Sequence, residues 1–409
     1  SNVDYSTTNI QVEGVDEADI VKSDGKYFYV IANNHLIVVD AYPIESSKIV
    51  SQTFLENIYP QEMFVLNDKL LLFGTKNVQV YAQAEAEQTT RIAAPSGGDA
   101  YYPYYRYESR MLARLYDVSD KTNPRIEKDL EFVGNYLNSR LIGSNAYFVV
   151  NSYPQYELLR GDVAVQNAQD IVPLMYEDGI KSFVAKPNEI GYLPPMPPES
   201  FITLVSFNLN SKEIKKETIV GSAQSIFAST KNIYIAAPFY SDYDYYAPQP
   251  LFPAIAPNLG FDYFRQNEKT IVNKFNLNNG EIGFVGQGTV PGHILNQFSM
   301  DEFEGNFRIA TTIGQIWGTQ QQSQNNLYVL DSEMNLVGSL EGLAPGEKIY
   351  STRFMGPRAY MVTFKKVDPL FVIDVSNPTN PRVLGKLKIP GYSDYLHPID
   401  ETHLIGLGK

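Results

Sequence analysis

Apolar and polar residues alternate along this chain in short runs, and seven times an apolar run meets a tight polar turn from which a second apolar run departs. The turns are Ser23-Asp24-Gly25-Lys26, Asn67-Asp68-Lys69, Gly143-Ser144-Asn145, Ser229-Thr230-Lys231-Asn232, Glu304-Gly305-Asn306, Gly356-Pro357-Arg358 and Asp400-Glu401-Thr402. Such punctuation predicts β-hairpins. Gly, Asn, Asp and Ser supply the turn geometry, and the flanking apolar residues pack on a pleated surface. One hairpin repeated along a chain is the mark of a repeat architecture.

A third apolar strand follows, and six of these share a shape: 36–40, 115–119, 204–208, 272–276, 327–331 and 370–374. Each ends in or near Asp or Asn, whose side chains bond their own backbone and start turns. A fourth strand comes next, as in Lys48-Ile49-Val50-Ser51-Gln52 or Arg382-Val383-Leu384-Gly385-Lys386-Leu387. Two copies of the third turn are near-literal repeats, Asp117-Val118-Ser119-Asp120-Lys121-Thr122-Asn123-Pro124-Arg125 and Asp374-Val375-Ser376-Asn377-Pro378-Thr379-Asn380-Pro381-Arg382.

The predicted unit is therefore a four-stranded antiparallel meander. The 409 residues suit six to eight such units, at roughly 40–50 residues each. The expected fold is all-β, a β-propeller of about seven blades, or eight, when complete. The chain reads as a single propeller domain, with blades near 17–56, 57–134, 135–221, 222–290, 291–345 and 346–391. Residues 392–409 supply only two strands of a further blade. Propellers hide strand edges by closing the ring, so a C-terminal segment or a partner fragment is expected to complete it. Three long loops break the spacing, at 82–110, 152–200 and 239–267, with a short helix expected around 163–175. Loops of this length are commonly functional.

Composition narrows the picture. Tyrosine (29 residues) and phenylalanine (22) far outnumber the single tryptophan, as suits half-buried sheet surfaces. A net charge of −13 argues against nucleic acid or an anionic membrane as partner. There is no cysteine, which removes disulfides, thiol catalysis and thiolate metal sites. No apolar run approaches the roughly 20 residues of a membrane span. The chain opens on Ser1-Asn2 rather than methionine, which is consistent with an export signal removed upstream.

The stretch Ser6-Thr7-Thr8-Asn9-Ile10-Gln11-Val12-Glu13-Gly14-Val15-Asp16-Glu17-Ala18-Asp19-Ile20-Val21-Lys22 resembles the opening signature of a family of secreted prokaryotic proteins. That family carries a C-terminal β-propeller domain distantly related to WD40 repeats. Three further blocks resemble it: Gly292-His293-Ile294-Leu295-Asn296-Gln297-Phe298-Ser299-Met300-Asp301-Glu302, Tyr350-Ser351-Thr352-Arg353-Phe354-Met355-Gly356 and Tyr395-Leu396-His397-Pro398. The resemblance spans nearly the whole chain. It implies a propeller, a secreted or cell-surface location, and more chain beyond the position of Lys409. It implies no reaction.

Aligning the first strands of the blades puts a polar residue ahead of each: Asp19, Glu62, Arg140, Ser225, Gln297, Arg353 and His397. These are candidates for lining a central channel, where they could hold a ligand or an ion; channel positions face water and are polar in any propeller. The histidines, His35, His293, His397 and His403, show no spacing of a helical zinc site. His293 and His397 could share a site, although separately satisfied histidines are the simpler reading. Carboxylates at Asp242 and Asp244, and at Asp301 and Glu302, have the oxygen chemistry of a structural calcium site. None fits an EF-hand loop, and acidic loops are expected at this net charge.

The Tyr-rich loops are the other candidate surface. One carries Tyr101, Tyr102, Tyr104, Tyr105 and Tyr107, another Tyr240, Tyr243, Tyr245 and Tyr246. Tyrosine offers large, fairly rigid contact area with a polar tip, which suits recognition of protein or glycan, and it serves equally to order its own loop. Nucleophile and phosphate-loop motifs are absent from the sequence. The sequence therefore favours a non-catalytic extracellular binding or scaffold propeller. The competing expectation is a metal-assisted hydrolase or lyase using carboxylates at the channel mouth.

Overall fold

Each of the seven predicted turns joins two antiparallel strands in the computed structural model, which describes residues 10–81, 105–154, 167–196, 199–240, 268–314, 322–364, 368–389, 391–400 and 402–409. The chain divides into two compact units, Ser1–Tyr192 with Pro198–Gly221 and Leu193–Pro197 with Ser222–Lys409.

Three sheets build the first unit. The leading one runs Val21–Ser23, Tyr27–Ala32, His35–Asp40, Lys48–Phe54 in chain order. The second runs Tyr59–Leu66, Lys69–Tyr81, Tyr105–Asp117, Arg125–Val133. The third runs Asn135–Ile142, Asn145–Ser152, Phe201–Asn208, Ile214–Val220. Strand Phe201–Asn208 is buried at every position but its last. A strand covered on both faces needs an unbroken apolar run rather than alternation, and its Thr203 and Ser206 are the exceptions that a hydroxyl can satisfy locally; Thr203 Oγ1 lies 3.2 Å from Thr218 Oγ1 on the adjacent strand. Phe64, Phe73, Phe132 and Phe148 pack edge-on at the centre of the core, with ring centroids 5.4–5.9 Å apart.

The N-terminal signature threads all three of these sheets. Asp16–Glu17 pairs with Arg140 and Leu141 of the third sheet. Asp19 exchanges two backbone hydrogen bonds with Met63 of the second. Val21–Ser23 then opens the first. Residue 17, expected in the first blade, thus belongs to the third sheet, anchored there beside buried Val15.

The helix expected around 163–175 is not formed over its described part. Ala168–Ile171 is a single 3-10 turn, with Asn167 Oδ1 accepting from the Gln169 amide at 3.0 Å. Pro173 lacks an N–H to continue a helix. Leu174–Glu177 and Ile180–Phe183 instead form a hairpin on the outer strand of the second sheet. Its turn, Asp178-Gly179, has positive φ at both residues (49° and 82°), the backbone that a two-residue hairpin requires.

The second unit carries three more meanders. They are Ser225–Ala228, Asn232–Tyr240, Glu268–Asn278, Glu281–Pro291; then Met300–Phe303, Asn306–Ile313, Gln324–Leu330, Leu336–Leu343; then Lys348–Met355, Arg358–Phe364, Asp368–Asp374, Arg382–Ile389. Ser393–Pro398 and Leu404–Gly408 form a last sheet of two strands. Among the described residues, four sheets of four strands, two of six and one of two, each of the larger ones built on a four-stranded antiparallel meander, make this an all-β, propeller-class chain.

Candidate functional site

Of the seven candidate channel residues, Asp19, Glu62 and Arg140 lie in the first unit, and folding brings their charges within reach of one another. Tyr136 donates its hydroxyl proton to Glu62 Oε1 and lies 2.7 Å from Ser139 Oγ. Arg140 is buried; its Nη1 donates to Asn138 Oδ1 and to the Ser139 carbonyl, both at 2.6 Å, and Nη2 stands 3.9 Å from Glu17 Oε1. Lys22, also buried, donates to Asp16 Oδ1 at 2.8 Å and to the Glu17 carbonyl. Burial pushes the Glu62 carboxyl above the usual glutamate range and the charge of Asp19 adds to this, against the Tyr136 hydrogen bond and the cations Arg140 and Lys22. Burial likewise holds the Tyr136 phenol well above its ordinary value, so it stays a donor. The arrangement is a carboxyl of raised proton affinity in the field of a second one, Asp19.

Ser225, Gln297, Arg353 and His397 belong to the second unit. The 3-10 turn Gln297–Ser299 is capped by Asn296, whose Oδ1 accepts from the Phe298 amide at 3.0 Å. That cap presents Phe298 beneath the buried Arg353 guanidinium, 5.1 Å from the ring centroid, and edge-on to Tyr395 at 5.5 Å. Tyr395 in turn contacts His397 at 6.1 Å. The Gln297 turn, Arg353 and His397 are therefore brought together by aromatic contacts. Ser225 opens its strand opposite Ala236.

The acidic candidates are engaged by protein partners. Asp301 Oδ2 accepts from Nε of Arg308 at 2.9 Å and from its Nη2, while Arg308 Nη1 donates to the Gly356 carbonyl at 2.6 Å. Burial raises the Asp301 carboxyl more than Arg308 lowers it. Glu302 Oε2 accepts from Ser229 Oγ at 2.7 Å, Tyr234 Oη at 3.0 Å and Asn232 Nδ2 at 3.0 Å. Asp301 and Glu302 thus tie strands together. Among the described residues, no group of three or more His, Cys, Asp or Glu could hold a metal ion. Asp242 and Asp244 lie outside the described residues.

His293 is engaged by a carboxylate, its Nδ1 lying 2.8 Å from Glu268 Oε2. Tyr101, Tyr102, Tyr104, Tyr243, Tyr245 and Tyr246 lie outside the described residues, and Tyr105 and Tyr240 are placed as strand ends. Tyr107 is 73% exposed. The sequence pattern does not single out Lys22, Tyr136, Ser139 or Arg308. Arg308 had a visible signal, a lone charge inside the apolar run Phe307-Arg308-Ile309-Ala310; Tyr136 acquires its meaning from Glu62 on a strand distant in sequence, whereas Lys22 and Ser139 bond near neighbours that only the fold turns toward them.

The chain belongs to the beta propeller domain family, whose profile matches residues 5–409. An uncharacterized protein of Methanocaldococcus jannaschii is 31% identical over 446 residues, covering 99% of this chain and 65% of its own length. One of Archaeoglobus fulgidus is 28% identical over 467 residues, covering 99% and 67%. The chain thus spans about two thirds of the length of these relatives. A solved structure, Kluyvelomyces marxianus Hsv2, aligns with a TM-score of 0.38 at 7% identity, over 94% of this chain and 86% of its own.

Proposed function

We propose that this propeller is a non-catalytic extracellular binding or scaffold protein that recognises protein or glycan through its loops. The observation that supports this best is how its tyrosines sort. Tyr29 and Tyr234 are buried with their hydroxyls bonded to Asp24 and Glu302. Tyr107, Tyr153 and Tyr192, at the described margins of the long insertions 82–110 and 152–200, are 73%, 59% and 51% exposed. Exposed, semi-rigid aromatic area beside long loops is the chemistry of recognition surfaces, and all three belong to one compact unit. The test is a glycan and peptide array read with wild type and with a Tyr107→Ala/Tyr153→Ala/Tyr192→Ala variant. Binding is expected to fall at least about tenfold with an unchanged melting temperature, given the share of affinity that aromatic hot spots carry. Undiminished binding by the variant overturns the assignment.

A second reading, a hydrolase or lyase working through carboxylates, draws on Glu62, whose raised proton affinity beside Asp19 is the property of a general acid. Under that reading Glu62→Gln abolishes turnover of the array ligands and the tyrosine variant keeps it.

A further inference from the structure

Beside strand Ile214–Val220 of the first unit lies a cleft of about 530 Å³, within the range of small-molecule sites. Gln169, Val184 and Lys186 line it from the 168–189 segment, and Lys216, Glu217 and Thr218 from the strand. The two lysines differ. Lys186 is exposed and paired with Glu189 at 3.1 Å. Lys216 is partly buried, and the partner of its Nζ is the Met175 sulfur at 2.9 Å. Among the described residues no carboxylate lies within ion-pair distance of it; Glu177 and Glu189 reach it through their field alone.

A thioether is a weak acceptor and replaces little of the hydration that an ammonium loses on burial. Burial accordingly lowers the Lys216 amine below the usual lysine range, more than the two glutamates raise it. Loss of the proton is therefore easier here than at an exposed lysine, and the deprotonated amine carries the lone pair that a nucleophilic lysine needs. An anionic ligand fits poorly. It would require the charged amine that the site disfavours, and it would meet Glu189 and Glu217 on the walls.

We propose that this cleft takes a small uncharged carbonyl compound, an aldehyde or ketone, and that Lys216 captures it as an imine. The nitrogen lone pair bonds to the carbonyl carbon as the C=O π pair moves to oxygen. One amine proton passes to that oxygen, giving a carbinolamine. The C–O bond then breaks and the hydroxyl leaves with the second proton as water, so the step is a condensation with no change of oxidation state.

Benzaldehyde with sodium cyanoborohydride at pH 7, followed by peptide mapping, tests this on the whole protein. Lys216 is expected to carry several times the label of the more accessible Lys186, because burial makes its amine the easier one to deprotonate. Lys216→Arg should lose that label and keep the slow labelling elsewhere. Labelling that simply follows exposure, with Lys216 at or below Lys186, overturns the proposal. The wild-type map decides the matter even if Lys216→Arg does not fold.

Discussion

Arg308 shows how a single buried charge is tolerated in a β-sheet interior. Its guanidinium is 2% exposed, holds Asp301 with two donors and the Gly356 carbonyl with a third, and lies over the rings of Phe303 and Phe354 at 4.8 and 5.1 Å. Truncation by Arg308→Ala strands the Asp301 carboxylate, and we expect a loss of about 3–5 kcal/mol in urea unfolding. The paired change Asp301→Asn with Arg308→Met should cost markedly less, because no buried charge is left alone. Glu62 makes a different prediction. Its folded-state pKa lies above the unfolded value, so the native state binds this proton more tightly. Its contribution to stability is therefore full below the ordinary glutamate range and declines as pH rises through the raised folded value. Glu62→Gln, which mimics the protonated form, should flatten the dependence of Tm on pH above the ordinary glutamate pKa of about 4.3. A profile parallel to wild type across that window would count against a raised Glu62.

At the scale of elements, turn chemistry repeats as closely as sequence does. Asp117 Oδ1 accepts from the Ser119 amide at 2.8 Å and Asp374 Oδ1 from that of Ser376 at 3.0 Å. Asp120 and Asn377 do the same for Thr122 and Thr379, at 3.0 and 3.1 Å. Val118 and Val375 between them are buried, each amide bonded at 2.9 Å to the first-hairpin turn of its own blade, at the Asp68 and Pro357 carbonyls. Hairpins and meanders were legible in the sequence for this reason: their geometry is written in three or four adjacent residues. The N-terminal thread and the added hairpin Leu174–Glu177/Ile180–Phe183 were not, since they depend on which distant edge stands free. The charge clusters were legible only as polar positions. Tyr136 finds Glu62, and Ser229, Asn232 and Tyr234 find Glu302, across different sheets. Blade-to-blade fit appears at Gly338, where an added Cβ would sit 2.1 Å from the Pro378 carbonyl of the duplicated turn. Gly338→Ala should therefore cost about 1–3 kcal/mol by overpacking, seen as a lower urea midpoint; an unchanged midpoint would mean that this turn yields freely.

Across the whole molecule, two surfaces are left as a propeller blade does not ordinarily leave them. In the first unit the leading sheet buries Tyr29, Leu36 and Val38 on one face, while Phe28, Ile49 and Phe54 on the other are 44%, 59% and 60% exposed. In the second unit the last sheet has two strands, and its outer strand Leu404–Gly408 exposes Ile405 and Leu407 at 45% and 57%. A lone hairpin is marginal in water, and an apolar open edge invites pairing. We therefore predict that a further strand, from this protein or a partner, pairs antiparallel with Leu404–Gly408 and completes the blade. In protein isolated from its source, the amides of Leu404–Gly408 should exchange at least about tenfold more slowly than in residues 1–409 alone, the effect of about 1.4 kcal/mol of added local stability. Native mass spectrometry should give a mass above that of this chain. A mass equal to it, with fast exchange along this strand, would mean that the edge stands open in the working protein and that charge and twist, not pairing, keep it from aggregating.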